Sequence, residues 1–272
     1  MRIRRVLTAL ACSAAAAAVA AAPAGAWAPA ASAPIHPGVN TTTAGASCTS
    51  NFIYTQGADV YIGQAAHCSG TGGSTATNGC DSGSLPEGTQ VTVDGASQPG
   101  TMVYNSWVRM QARGETDPNT CQYNDLALVK LAPADAANVN PSVPFWGGPT
   151  GLTDTVAANA KVVSYGNSIL RAGIQQLSPK EGVQIAQDSG GWNHTVYTVT
   201  PGIPGDSGSG FMDKTGNAFG VLSTVAIAPL PASNGVGDLA RELAYAHTFG
   251  DFASVGLVNG TEAFRGPLLP VP

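Results

Sequence analysis

The chain has 272 residues, 43% of them apolar and 11% charged, with a formal net charge of −5. The material suffices for a sizeable core, as one large domain or two small ones. The slightly acidic balance, with no Lys/Arg block after Arg5, leaves no basis for a nucleic-acid surface, and the wealth of Gly, Ser, Thr and Asn favours loop-rich β structure over helices.

The first segment reads as an export signal. Arg2, Arg4 and Arg5 precede an Ala-rich apolar run over 6–22, and small residues follow at 24–26 and 31–33. A basic head, an apolar middle and an A-x-A-type end predict a secretory signal over 1–26. Cleavage is expected after Ala26, with Ala33 as the outer bound, because Pro34 hinders cutting there. The run is short for a membrane span and no second one follows. The expected location is extracellular, with no membrane association once the signal is removed.

Cys12 leaves with that signal. Cys48, Cys68, Cys80 and Cys121 remain, an even number in an exported chain, which is the pattern of two disulfides. Sequence alone admits three pairings. There is no C-x-x-C and no Cys–His cluster, so no metal site is expected.

Short strand-like runs follow at 51–54, 60–66, 90–94, 101–107 and 126–131. After a Pro-rich stretch over 140–151 come further runs at 161–165, 195–200, 208–213 and 218–224. Even spacing with Gly, Pro, Asn and Ser between the runs predicts barrels or sandwiches. Strands do not alternate with long helical patterns, which argues against a parallel α/β sheet. The Pro-rich stretch reads as a connector, dividing the mature chain into 34–145 and 146–265, each of ordinary domain size. One helix is predicted over 237–247, with Asp238 as its cap and Leu239 and Leu243 on one face. The composition of 69–88 is that of a flexible loop, tethered by Cys80.

Three polar residues stand out in this frame. Ser207 lies in "PGDSGSG", 204–210; alone, such a string reads as a turn. His67 closes "GQAAHC", 63–68; alone, it reads as a core or metal histidine. Asp125 lies in "YNDLALVKL", 123–131; alone, it reads as a turn residue at a strand start. A serine hydroxyl becomes a nucleophile only with a base to take its proton and donors for the oxyanion it creates. The order His, Asp, Ser in an exported, strand-rich, disulfide-bearing chain supplies those parts together.

On these stretches, with "GVLS" at 220–223, the chain resembles the trypsin- and chymotrypsin-like serine peptidases, in their secreted bacterial, actinobacterial-type branch. The resemblance spans about Cys48 to Ser223. It implies an all-β fold of two antiparallel six-stranded β-barrels with a short C-terminal helix and the site in the cleft between them. It implies Ser207 as nucleophile, His67 as general base and then acid, and Asp125 as the group that orients the imidazole. The N–H groups of Gly205 and Ser207 would form the oxyanion hole, and Ser223 would lie beside Asp125 at the substrate groove. Cys48–Cys68 is the pairing it implies, leaving Cys80–Cys121. The partner would be a protein or peptide substrate, with no cofactor, and the chain would act as a monomer.

The chain also departs from that pattern. Pro201 stands six residues before Ser207, where trypsin-like members place an Asp, so cleavage after Lys or Arg is not expected. No His lies between Gly208 and Asp238, so a histidine-based preference for Glu is not expected either. "STVAIAP", 223–229, replaces the usual groove wall. These features predict a preference for uncharged side chains. No Ile-Val-type activation sequence occurs over 34–47, so Asp206 either takes another cation or sits in a different arrangement. His36, His194 and His247 have no motif around them and are expected at the surface or in packing roles. Two other functions compete: a catalytically weak or inactive peptidase-fold binding protein, and an esterase-like hydrolase using the same triad. An α/β-hydrolase proper is excluded by the His–Asp–Ser order and by the lack of a strand-to-helix pattern after Ser207.

Overall fold

The structure, a computed structural model, describes residues 26–73, 76–225 and 231–268. The expected signal, apart from Ala26, and residues 226–229 of the expected groove wall lie outside the described residues.

The first half carries β1 (Asn40–Thr43), β2 (Ala46–Thr49), β3 (Ile53–Gln56), β4 (Asp59–Ala65), β5 (Gln90–Val93), β6 (Gly100–Asn105) and β7 (Leu126–Lys130). Period-two burial sets their faces: in β5, Val91 and Val93 point inward while Gln90 and Thr92 stay exposed. The sheet order is β3-β4-β7-β6-β5-β1-β2. β2 runs through residues 50–52 into β3, and Gly63 joins that bend to β4: Asn51 N–H donates to Gly63 O at 2.9 Å and Gly63 N–H to Phe52 O at 3.0 Å. One bent stretch of chain therefore carries both β2 and β3, and the sheet curls around Ile53, Ile62, Met102 and Val129. Trp27 packs against the same core.

The second half carries β8 (Gly151–Leu152), β9 (Lys161–Tyr165), β10 (Pro179–Asp188), β11 (Asn193–Thr198), β12 (Gly210–Asp213), β13 (Asn217–Val225) and β14 (Asn234–Asp238). Here β12 pairs with both β9 and β13, so β9-β10-β11-β14-β13-β12 closes into a six-stranded antiparallel barrel, with β8 added parallel to β13. Phe211, Phe219, Leu222 and Val236 fill it. A third cluster joins the halves: Phe52, Leu126 and Leu128 from the first sheet meet Val163, Met212 and Val221 from the second. The last strand, β15 (Gly256–Leu257), returns to pair with β3.

Among the described residues four α-helices join these strands: α1 (Ser106–Arg113), α2 (Pro118–Tyr123), α3 (Pro133–Ala136) and α4 (Leu239–Phe249). The predicted strand over 101–107 stops two residues early, because the Asn105 side chain accepts from the N–H groups of Trp107 and Val108 and caps α1. Left-handed Gly114 ends that helix. The predicted C-terminal helix starts at Leu239, after Asp238 Oδ1 accepts from Arg241 N–H at 2.9 Å. Leu239 and Leu243 are buried and contribute about 1.5–3 kcal/mol each. No helix among the described residues is long and apolar enough to cross a membrane.

Candidate active site

The site grows from chain segments that end or turn at one place. β4 ends at Ala65, and a 3-10 turn (Ala66–Ser69) carries His67. Asp125 is the residue before β7, which pairs with β4 so that Ala65 opposes Leu126. That register sets the two side chains together. His67 N–H donates to Asp125 Oδ1 at 2.9 Å, and His67 Nδ1 lies 2.6 Å from Asp125 Oδ2. With Nδ1–H donated to the carboxylate, Nε2 is the nitrogen that can accept a proton. Burial works against the imidazolium, but the charge and hydrogen bond of Asp125 outweigh it, and the His67 pKa is raised above 6.5. Ser223, on β13, donates from Oγ to Asp125 Oδ2 at 2.5 Å.

Ser207 comes from the other half of the chain and is fixed through its neighbours. Thr49 N–H donates to Ser207 O at 2.9 Å, and Gly208 N–H donates to Leu222 O at 2.7 Å. Thr49 adjoins Cys48, whose disulfide to Cys68 binds it to the residue after His67. A side chain on Gly208 would meet Ala65 N at 2.8 Å, so that glycine permits the close approach of the 207–208 backbone to the end of β4. Ser207 thus lies against the segments that carry His67 and Ser223. No hydrogen bond joins the Ser207 hydroxyl to His67 among the described residues.

The backbone around Ser207 is ordered by its carbonyls. Pro204 O accepts from Ser168 Oγ at 2.5 Å, and Gly205 O accepts from Thr49 Oγ1 at 2.7 Å. Asp206 N–H donates to Ile203 O at 2.9 Å. The N–H groups of Gly205 and Ser207 have no protein partner among the described residues.

Asp206 answers the question of its cation. Its carboxylate is fully buried and forms a two-point ion pair with Arg171, with Arg171 Nη2 2.7 Å from Asp206 Oδ2. Lys180, also fully buried, places Nζ 3.1 Å from the same oxygen. Burial disfavours the charged carboxylate, yet Arg171 and Lys180 hold Asp206 below its ordinary value. Gly166 leaves room for the pair: a Cβ there would lie 2.6 Å from Asp206 Oδ1 and 2.7 Å from Lys180 Cε. Lys180 Nζ also donates to the carbonyls of Thr200 at 3.2 Å and Pro201 at 2.9 Å. Arg171 and Lys180 carried no motif and were not legible in the sequence.

Behind Asp125 lies a second group that sequence reading missed. Glu242 on α4 is fully buried, and its Oε1 accepts from Asp125 N–H at 2.9 Å. Burial, helped by the nearby charges of Asp125 and Asp238, pushes its carboxyl well above the usual range. A signal did exist: Glu242 stands three residues after Leu239, on the apolar face of the predicted helix. His194 is wholly buried. Its Nδ1 lies 2.9 Å from Gln184 Oε1 and its Nε2 2.9 Å from Asp238 Oδ2. Gln184 donates from its amide nitrogen to Val156 O, which turns its oxygen toward His194.

Both disulfides form, Cys48–Cys68 and Cys80–Cys121. Cys80–Cys121 ties the 69–88 loop to α2, and Gln111 Nε2 holds the carbonyls of Gly79 and Ser82 at 2.7 Å each. Cys48, His67 and Cys68 are the one trio of potential metal ligands among the described residues, and two of the three are spent in a disulfide.

No family model matches the chain, and no curated protein matches it. Solved structures do. Protease A of Thermobifida fusca superposes with a TM-score of 0.52 at 17% identity, covering 83% of this chain and 99% of that one. A glutamic acid-specific serine protease, described as using a histidine triad in substrate binding, gives 0.51 at 16% identity, covering 82% and 100%. The fold is that of the chymotrypsin-like serine proteases. At such identities the likeness is one of architecture.

Proposed function

We propose that the chain is a secreted serine endopeptidase that hydrolyses peptide bonds through an acyl-enzyme on Ser207. The observation that carries this is the seating of His67: Nδ1 is fixed 2.6 Å from a buried Asp125, while Ser207 is held against the segment that carries the ring. In this mechanism His67 Nε2 takes the Ser207 proton as Oγ attacks the carbonyl carbon. Asp125 stabilises the imidazolium that forms. The N–H groups of Gly205 and Ser207 receive the oxyanion. His67 then delivers its proton to the leaving amine, and water, activated by the same nitrogen, releases the acyl group.

The halves 34–145 and 146–265 act as the two walls of the cleft. Export follows from the N-terminal pattern together with two disulfides, which form and persist in oxidising compartments. The substrate is an unfolded or exposed peptide segment whose side chain before the scissile bond is uncharged. Pro201 brings no acid to the pocket, and its carbonyl and that of Thr200 are engaged by Lys180. A basic side chain would find neither a carboxylate nor a free carbonyl there. The glutamic acid-specific neighbour binds its substrate with a histidine triad. Here four histidines exist in all, and His194 in the second barrel has both nitrogens engaged.

Casein and a mixed peptide library test the reading. Turnover with cleavage after uncharged residues is expected, and strong selectivity for Lys or Arg would contradict the pocket assignment. Tight protein binding without turnover would instead favour an inactive peptidase-fold binding protein.

A further inference from the structure

The two oxyanion donors differ in how they are secured. Ser207 N–H belongs to a segment pinned by Thr49 and Leu222. Gly205 N–H belongs to the peptide that begins at the Pro204 carbonyl, and Gly205 itself has φ +95°. Glycine adopts positive and negative φ about equally, so nothing intrinsic stops this peptide from rotating. Rotated, it would put a carbonyl oxygen where a donor is required, and an anion there would be repelled.

One side chain stands against that rotation. Ser168 is buried at 2% exposure, and its Oγ donates to Pro204 O at 2.5 Å. The Pro204–Gly205 bond is trans, and in a trans peptide the C=O and the N–H point in opposite directions. Drawing the carbonyl toward Ser168 therefore turns Gly205 N–H to the other side. The same hydroxyl accepts from Leu170 N–H at 3.1 Å and so caps the 3-10 turn (Ile169–Arg171) that delivers Arg171 to Asp206. Ser168 N–H donates to Asp206 Oδ1 at 3.1 Å. A Cβ on Gly205 would sit 2.9 Å from Ser168 Oγ, so the two residues are in direct packing. Thr49 acts on the next peptide, donating from Oγ1 to Gly205 O at 2.7 Å while accepting from Asn167 N–H at 3.0 Å.

We propose that Ser168 is a positioning residue for the oxyanion hole: its hydroxyl latches the Pro204–Gly205 peptide in the orientation that presents Gly205 N–H to the reacting carbonyl. This rests on the peptidase reading above. Ser168 touches no substrate; it acts through Gly205. The Arg171 turn and the latch share one hydroxyl, so the ion pair at Asp206 and the state of the hole are set by the same few residues.

The test compares mature wild type, Ser168→Ala and Ser168→Cys, which retains volume but donates weakly. Each is assayed for peptide-anilide hydrolysis, for inhibition by a peptide aldehyde, whose hemiacetal oxygen needs the hole, and for inhibition by the matching product peptide, which does not. Removing an oxyanion donor outright typically costs about 10²–10³-fold in kcat, so loss of its latch should cost roughly 10–100-fold. Ser168→Ala should lower kcat by that factor with KM within about twofold, weaken the aldehyde in parallel and leave the product peptide unchanged. Ser168→Cys should fall between, and it carries the same test if the alanine variant does not fold. Unchanged kcat, or equal weakening of aldehyde and product peptide, overturns the latch. Wild type without turnover would sink the peptidase reading itself, a separate outcome.

Discussion

Glu242 Oε1 accepts a hydrogen bond from the backbone N–H of Asp125 at 2.9 Å. The residue that grips His67 is thus seated on a carboxyl from α4, a helix that begins more than a hundred residues later. Burial raises the pKa of that carboxyl well above its ordinary value and so favours its neutral form. Glu242→Gln should therefore preserve the bond and the activity. Glu242→Ala leaves a buried N–H unpaired and should cost about 1–3 kcal/mol or more with the cavity added. Because the folded pKa is raised, wild type should hold its full stability below the unfolded value near 4.5 and lose some of it as pH rises from there. Urea unfolding at pH 5 and pH 8, in a Ser207→Ala background, reads this directly. A flat profile in Glu242→Gln and a sloping one in wild type are expected; equal slopes would count against a protonated Glu242.

His67 must be neutral to act as a base. Its pKa is raised by Asp125 against the opposing pull of burial, so kcat/KM should climb with pH through a value above 6.5. Asp125→Asn should lower the rate by about 10⁴-fold, by leaving the imidazole in the wrong tautomer. It should also shift the residual acid limb downward. A limb unmoved by the substitution would detach Asp125 from His67.

The buried triplet Arg171, Lys180 and Asp206 makes a different prediction. Arg171→Met removes two hydrogen bonds from a fully buried carboxylate and should destabilise the fold by about 3 kcal/mol. Asp206 has a depressed folded pKa, so its contribution is present above the unfolded value near 3.8 and is lost as pH falls through the folded one. Without Arg171 that folded pKa rises, and acid unfolding monitored by fluorescence should begin at higher pH than in wild type. Coincident acid transitions would show that Lys180 alone suffices.

Lys180 links that cluster to the pocket. Lys180→Met frees the carbonyls of Thr200 and Pro201 and leaves Asp206 paired with Arg171. Peptide substrates with Lys before the scissile bond should gain about tenfold in kcat/KM relative to Ala, equivalent to about 1.4 kcal/mol. An unchanged ratio would place the discriminating contacts elsewhere.

Much of this was visible in the letters because it depended on local pattern. The runs at 161–165 and 126–131 match β9 and β7, since short, nearly continuous buried runs bounded by turn residues mark strands covered on both faces. His67, Asp125 and Ser207 stand out through short motifs as candidates. β10 was not: Lys180, Glu181, Gln184 and Gln187 interrupt its apolar pattern, and three of those four turn inward to partners distant in sequence. The same holds for Arg171 and Glu242, whose roles come from burial against Asp206 and Asp125. His194 reads as an unremarkable surface or packing residue until Gln184 and Asp238 close around it. Charge in a core is set by tertiary partners, and a single sequence does not name them.

The sharpest measurement is covalent. Mature protein is treated with a fluorophosphonate and mapped by mass spectrometry, alongside Ser207→Ala and His67→Ala. One adduct on Ser207, absent in the first variant and strongly slowed in the second, is expected if imidazole and hydroxyl work as a unit. Well-folded wild type that takes no label, or that takes it equally well without His67, would contradict that union.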